Sequence, residues 1–178
     1  MRGWLVTATS VAALACASSA LAQPVLSAAN RPTQTPTDAP SYVDEAFAAD
    51  AFEVTSSRLA LSRSKDPAVR DLAERMIDDG TMTTNALLAA AEEANVPPPT
   101  SASSDDVKGA MMDALTQTSG KDFDDTYIAQ QRRIQQEQLA LHQRYAADGD
   151  NDILRDYAVD TAARAADQLD EVNNLPRR

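Results

Sequence analysis

One cysteine, one histidine and one tryptophan are all that 178 residues contain of these types. A lone cysteine closes no disulfide within the chain and builds no thiolate metal centre. A lone imidazole, His142, falls short of the two Glu-x-x-His pairs that a di-metal bundle takes from its helices. The residue three before it is Leu139, so not even one such pair is present. Glycine occurs only five times, in no phosphate-cradling loop and in no Gly-x-Ser-x-Gly elbow. Basic residues are outnumbered 16 to 27 by acidic ones, for a formal charge of −11. That balance repels phosphate backbones and anionic headgroups, which speaks against nucleic acid and membrane surfaces as partners. It suits solubility, loose cation association or a basic partner.

The first 22 residues read as a secretory leader. Arg2 supplies the positive start, Trp4 to Ala17 an uncharged and largely apolar stretch, and Ala20-Leu21-Ala22 the small-x-small pattern after which a signal peptidase cuts. The apolar stretch is shorter than the roughly 20 residues a spanning helix needs. A lipidation reading at Cys16 is weaker, because Ala13 stands where lipoprotein signals usually carry a branched residue. The expectation is a periplasmic or secreted protein that starts at Gln23, with no membrane insertion after cleavage. Cleavage would remove the only Cys and the only Trp, leaving a core without disulfides to stabilise the fold.

Gln23 to Pro40 holds four of the nine prolines and reads as a disordered linker. From residue 41 to 178 the chain is helical in pattern, with no strand alternation. The first helix is expected over about 41–64, turning Phe47, Ala51, Val54 and Leu61 inward. The second opens on the Asp66 cap and Pro67 and runs to about Asn95, with Val69, Leu72, Ala73, Met76, Ile77, Leu87 and Ala91 inward. Pro97-Pro98-Pro99 ends it, and Ser103 and Ser104 are capping candidates for a short helix over about 105–118, which carries Val107, Met111, Ala114 and Leu115. Two more long helices follow, about 122–147 and 152–174. Phe123, Tyr127, Ile134, Leu141 and Tyr145 face inward on the first, and Leu154, Ala158, Thr161, Ala165, Leu169 and Val172 on the second. The fold class is therefore all-α: a ferritin-like four-helix bundle with a short extra helix in the crossover between the second and third long helices.

Phe52-Glu53-Val54 with Leu59-Ala60-Leu61, Asp66-Pro67-Ala68-Val69-Arg70, Arg75-Met76-Ile77-Asp78-Asp79, and later Gly120, Phe123-Asp124 and Tyr127 resemble the domain-of-unknown-function 4142 family. The resemblance covers about Tyr42 to Val172. Members are mostly exported bacterial proteins, described as ferritin-like or as predicted outer membrane proteins. The resemblance implies His after the Asp of the second helix, His eight residues beyond the third-helix Tyr, and Leu-Pro then His in the fourth. Here those positions hold Gly80, Gln135, and Ala162, Ala163 and Gln168. A metal set built on those histidines is lost from this chain.

Glu53, flanked at helical spacing by Ala46, Ala49, Ser56, Ser57 and Ala60, is the acid best placed to face the interior. Asp50 on the same face argues for water, with Ser57 and Arg58 as neighbours. Glu53, Asp79 and His142 are the candidate metal ligands. Asp78 and Asp79 form a second carboxylate pair, with Arg75, Arg132 or Arg133 to neutralise it. Gln131, Gln135, Gln138 and His142 share one stripe, read either as a buried polar network facing Gln168 or as an exposed face. Asp148-Gly149-Asp150-Asn151-Asp152 fails the calcium-loop pattern, with Ile153 and Val159 at the sixth and twelfth positions, and reads as a turn and cap. These observations point to a non-enzymatic bundle with no cofactor, in a structural or interaction role with an envelope protein partner. The alternatives are a metal-binding bundle with a degenerate site and a small-ligand binder using a cavity beside Gly80.

Overall fold

The computed structural model describes residues 36–99 and 106–175. The leader, Cys16, most of the linker and the Ser103–Ser104 caps lie outside the described residues. Five helices are formed: α1 (Ala39–Arg63), α2 (Pro67–Glu93), α3 (Asp106–Gln117), α4 (Gly120–Asp148) and α5 (Asp152–Asn174).

The helix ends follow local chemistry. The Asp38 side chain accepts from Ser41 N at 3.0 Å, and Pro40 sits in the first turn, where no intrahelical donor is needed. The helix thus begins two residues before the expected boundary at Ser41, and Ala39 is buried in the core. Asp38→Ala should lower stability by about 1 kcal/mol, read as a reduced urea midpoint at constant slope. Asp66 caps α2 through Ala68 N at 2.8 Å, with Pro67 opening the helix. At the far end Asn95 adopts φ 56°, which turns Val96 N back onto the Ala91 carbonyl at 2.9 Å. Asn151 accepts from Leu154 N at 3.1 Å, so the Asp148–Asp152 segment is a turn and cap as its sequence predicts.

The four long helices form a closed square. α1 packs on α2, α2 on α5, α5 on α4, and α4 on α1. α3 lies in the long connection from α2 to α4 and rests against α4 and α1. Besides a small cluster of Phe52, Met111 and Ile134, two larger apolar cores cap the square. One gathers Tyr42, Leu87, Tyr145, Leu154 and Ala158; the other gathers Leu72, Met76, Leu115, Phe123, Tyr127 and Val172. Among the described residues no helix is long and apolar enough to cross a membrane.

The expected inward faces of α2, α4 and α5 are largely as found, with Ile77 and Leu169 only half-buried. On α3, Met111 and Leu115 are buried but Val107 is exposed. On α1 the expected face is rotated. Phe47, Ala51, Val54 and Leu61 are half-buried, while Tyr42, Ala46, Asp50, Glu53, Ser56, Ser57 and Ala60 face the interior. The reason is that α1 lines a polar seam, which apolar periodicity does not detect.

Candidate functional site

Between the two apolar cores, α1 and α4 run antiparallel and meet through polar side chains. Residue numbers climb along α1 as they fall along α4: Tyr42 meets His142, Asp50 meets Gln138, Glu53 meets Gln135, Ser56 meets Gln131 and Ser57 meets Tyr127. The glutamine stripe is therefore a buried network. Gln131, Gln135 and His142 are fully buried, and Gln138 nearly so.

In the first layer the hydrogen-bond directions are determined. The Asp50 carboxylate only accepts, so Gln138 Nε2 donates to its Oδ1 at 2.9 Å and Thr84 Oγ1 donates to Oδ2 at 3.3 Å. Gln138 then presents its carbonyl oxygen to His142 Nε2 at 2.9 Å, which must carry the proton. His142 Nδ1 is left with a lone pair, and the Tyr42 hydroxyl, 2.8 Å away, donates to it. Burial lowers the imidazole pKa to about 4, in keeping with this neutral tautomer. Burial pushes Asp50 up to about 6, against the pull of hydrogen bonds from Gln138, Thr83 and Thr84.

The central layer holds Glu53, which is 1 % exposed. Gln135 Nε2 donates to its Oε2 and also lies 3.6 Å from Met76 Sδ. Burial, reinforced by the Asp50 charge, holds the Glu53 carboxyl well above the usual range. Among the described residues no lysine or arginine is buried, so neither carboxylate has a cation beside it in the interior. Two buried acceptors, Gln131 Oε1 and Gln135 Oε1, have no hydrogen-bond partner. Acceptors thus outnumber donors among these side chains, and the raised Glu53 pKa favours its protonated form. Asp50 itself is 2 % exposed, so its expected place in water is corrected. Gln138 and Thr84 make that burial tolerable, and neither Ser57 nor Arg58 partners Glu53.

Gly80 closes the seam from α2. A Cβ there would stand 2.9 Å from Val54 Cγ2 and 3.2 Å from Glu53 Oε1. The space beside Gly80, which the small-ligand alternative requires, is taken up by Val54 and Glu53; the glycine is needed because two helices touch. Gln168 on α5 donates to Asp79 Oδ2 at 3.1 Å. The three positions where the resemblance implies histidine therefore adjoin two carboxylates, Gly80 and Gln135 beside Glu53, and Gln168 on Asp79.

Of the metal candidates, Glu53 lies in the central layer and Asp79 is near enough for its charge to raise the Glu53 pKa. His142 belongs to the Tyr42 layer. Among the described residues no three His, Cys, Asp or Glu side chains gather closely enough to hold a metal ion. The arginines expected to neutralise Asp78 and Asp79 are engaged elsewhere: Arg75 with Glu171, Arg132 with Asn173 at 2.8 Å and Arg133 with Glu137 at 2.7 Å. Asp78 is exposed.

The chain belongs to the family described as domain of unknown function (DUF4142), whose model matches residues 23–175. No curated protein matches it. Among solved structures it is similar to CopM in the Cu(II)-bound form, at 14% identity, with a TM-score of 0.61 over 76% of this chain and 93% of that one. It is similar in the same measure to CopM in the Cu(I)-bound form, at 14% identity, with a TM-score of 0.62 over 76% of this chain and 92% of that one. For the Ag-bound form the values are 14%, 0.60, 76% and 93%. At this identity the likeness shows a shared helical-bundle fold.

Proposed function

We propose that this DUF4142 bundle is a non-enzymatic, exported protein with a structural or interaction role at the cell envelope. One observation carries the reading. The side chains best suited to chemistry are spent on one another: His142 between Tyr42 and Gln138, Glu53 on Gln135, and Asp79 on Gln168. The one imidazole is sealed at 0% exposure, and amides stand at two of the positions where the resemblance implies histidine.

The copper- and silver-bound forms of CopM, whose fold is similar, raise these metals as a second reading. The donors of the seam do not fit it. Copper(I) and silver favour thioether, thiolate and imidazole. The seam offers one thioether, Met76, and one imidazole, His142, which lie in separate layers, and its other donors are oxygens.

The native chain, purified without chelator from an envelope extract, should carry no stoichiometric copper, zinc or iron by elemental analysis. Titrated with each metal in a calorimeter, it should show only the weak binding of its acidic surface. Intact mass should begin at Gln23. A tight site of one metal per chain would overturn the reading, as would a mass that retains the leader on an unexported protein.

A further inference from the structure

The Tyr42 layer contains more than packing requires. Tyr42 is fully buried, and its hydroxyl is committed as donor to a neutral imidazole. Its ring stacks on Tyr145 with centroids 3.8 Å apart and planes 13° from parallel. The Tyr145 hydroxyl donates to the carboxylate of Asp150, an exposed residue, at 3.0 Å. Two stacked phenols, both fully buried, are therefore linked through the Asp150 carboxylate to the surface.

We propose that Tyr42 is a one-electron redox site, in which a radical oxidant takes an electron through the Tyr42–Tyr145 stack while the Tyr42 phenolic proton moves to Nδ1 of His142. The O–H bond of Tyr42 breaks and an N–H bond forms on His142. The oxidant is reduced by one electron, and the products are a neutral phenoxyl radical and an imidazolium.

Three features of the layer favour this coupling. A phenol radical cation is a strong acid, and a bare positive charge on a fully buried ring is disfavoured by desolvation. The electron therefore leaves only as the proton does, and an acceptor nitrogen stands 2.8 Å away. The imidazolium so formed also needs a counter-charge. Its Nε2–H is held by Gln138 Oε1, and the same amide donates to the Asp50 carboxylate. Asp50, buried without a cation in the resting chain, supplies the negative charge one amide away. Finally, Tyr157 packs edge-on against both Tyr42 and His142, with centroids 6.5 and 6.0 Å distant, which excludes water from the radical. The site would consume diffusible one-electron oxidants that arrive at the surface beside Asp150, with the electron crossing the buried stack and the hole held inside.

The test is pulse radiolysis with azide radical as the oxidant. It uses the full chain carrying Trp4→Phe and Cys16→Ser, so that the oxidisable groups of the leader do not compete. A tyrosyl signal should form, rise more slowly in heavy water, and outlast that of free tyrosine. Tyr42→Phe should abolish the long-lived fraction. Tyr127→Phe with Tyr157→Phe should preserve it, which keeps the assignment testable if Tyr42→Phe fails to fold. His142→Asn should remove the heavy-water effect, and Asp50→Asn should shorten the lifetime in a chain of unchanged helicity. A long-lived radical that persists in Tyr42→Phe overturns the proposal. So does a native chain whose signal rises equally fast in heavy water.

Discussion

Glu53→Gln should raise the stability of the chain at pH 8 and leave it about unchanged at pH 4. Burial keeps a proton on the folded Glu53 that the unfolded chain releases once pH exceeds the ordinary carboxyl value of 4.5. Stability contributed in this way is complete below the unfolded pKa and is lost as pH rises through the folded one. Two neighbours titrate as well, in opposite senses. Asp50, raised from 3.8 to about 6, loses stability as pH climbs through that window. His142, lowered from 6.5 to about 4, gains stability over nearly the same window, because only the unfolded chain is protonated there. The two largely offset each other, and Glu53 remains to set the slope above pH 6. Each pH unit over which one extra proton is retained changes stability by about 1.4 kcal/mol. The gap between Glu53→Gln and the native chain should therefore widen by up to that amount per unit until Glu53 ionises. Urea unfolding followed by circular dichroism from pH 4 to 9 measures it. Parallel curves for the two proteins would show that Glu53 carries no retained proton.

Gly80→His should destabilise the bundle by about 3 kcal/mol, the upper end of what overpacking in a well-filled interior costs. Its Cβ alone would press on Val54 Cγ2 at 2.9 Å, and the imidazole beyond has to displace Glu53 or Gln135. Val54→Ala removes the atom in conflict and should recover part of the loss. Placing His together at 80, 135 and 168 is thus not a simple restoration of a metal set, because the first of the three positions has no room. A thermal melt of Gly80→His that matches the native chain would show that α1 and α2 separate easily at this point.

The helices were legible because their punctuation is chemical. Asp66-Pro67, the proline triplet after Asn95, Ser119-Gly120 and the Asn151 turn each end or begin a helix through a backbone requirement that few other residues meet. The apolar faces of α2, α4 and α5 were legible for the same reason that they are buried. The face of α1 was not. Its interior residues are Ala, Ser, Asp and Glu, which periodicity assigns to solvent, so Phe47 and Val54 stood in for Asp50 and Glu53. The glutamine stripe on α4 was visible as a pattern. What made it a network was the matching stripe on α1, and pairing two helices in register is information held by the fold rather than by either segment. Asp50 runs against its sequence signal outright, since a second acid beside Glu53 is a reason for exposure unless partners such as Gln138 and Thr84 satisfy it.

The contact at Gly80 also constrains the order in which this sequence could change. Any side chain at position 80 needs space on α1 first, because Val54 and Glu53 already occupy what it would fill. A smaller residue at 54 opens a gap that is a modest loss by itself and becomes useful only after the second substitution. The reverse route, enlarging position 80 first, passes through the least stable intermediate of the two. Exchange between the present close-packed seam and one lined by larger ligating groups is therefore a path with a preferred direction of steps, entered through α1 rather than through the position where the new group would finally stand.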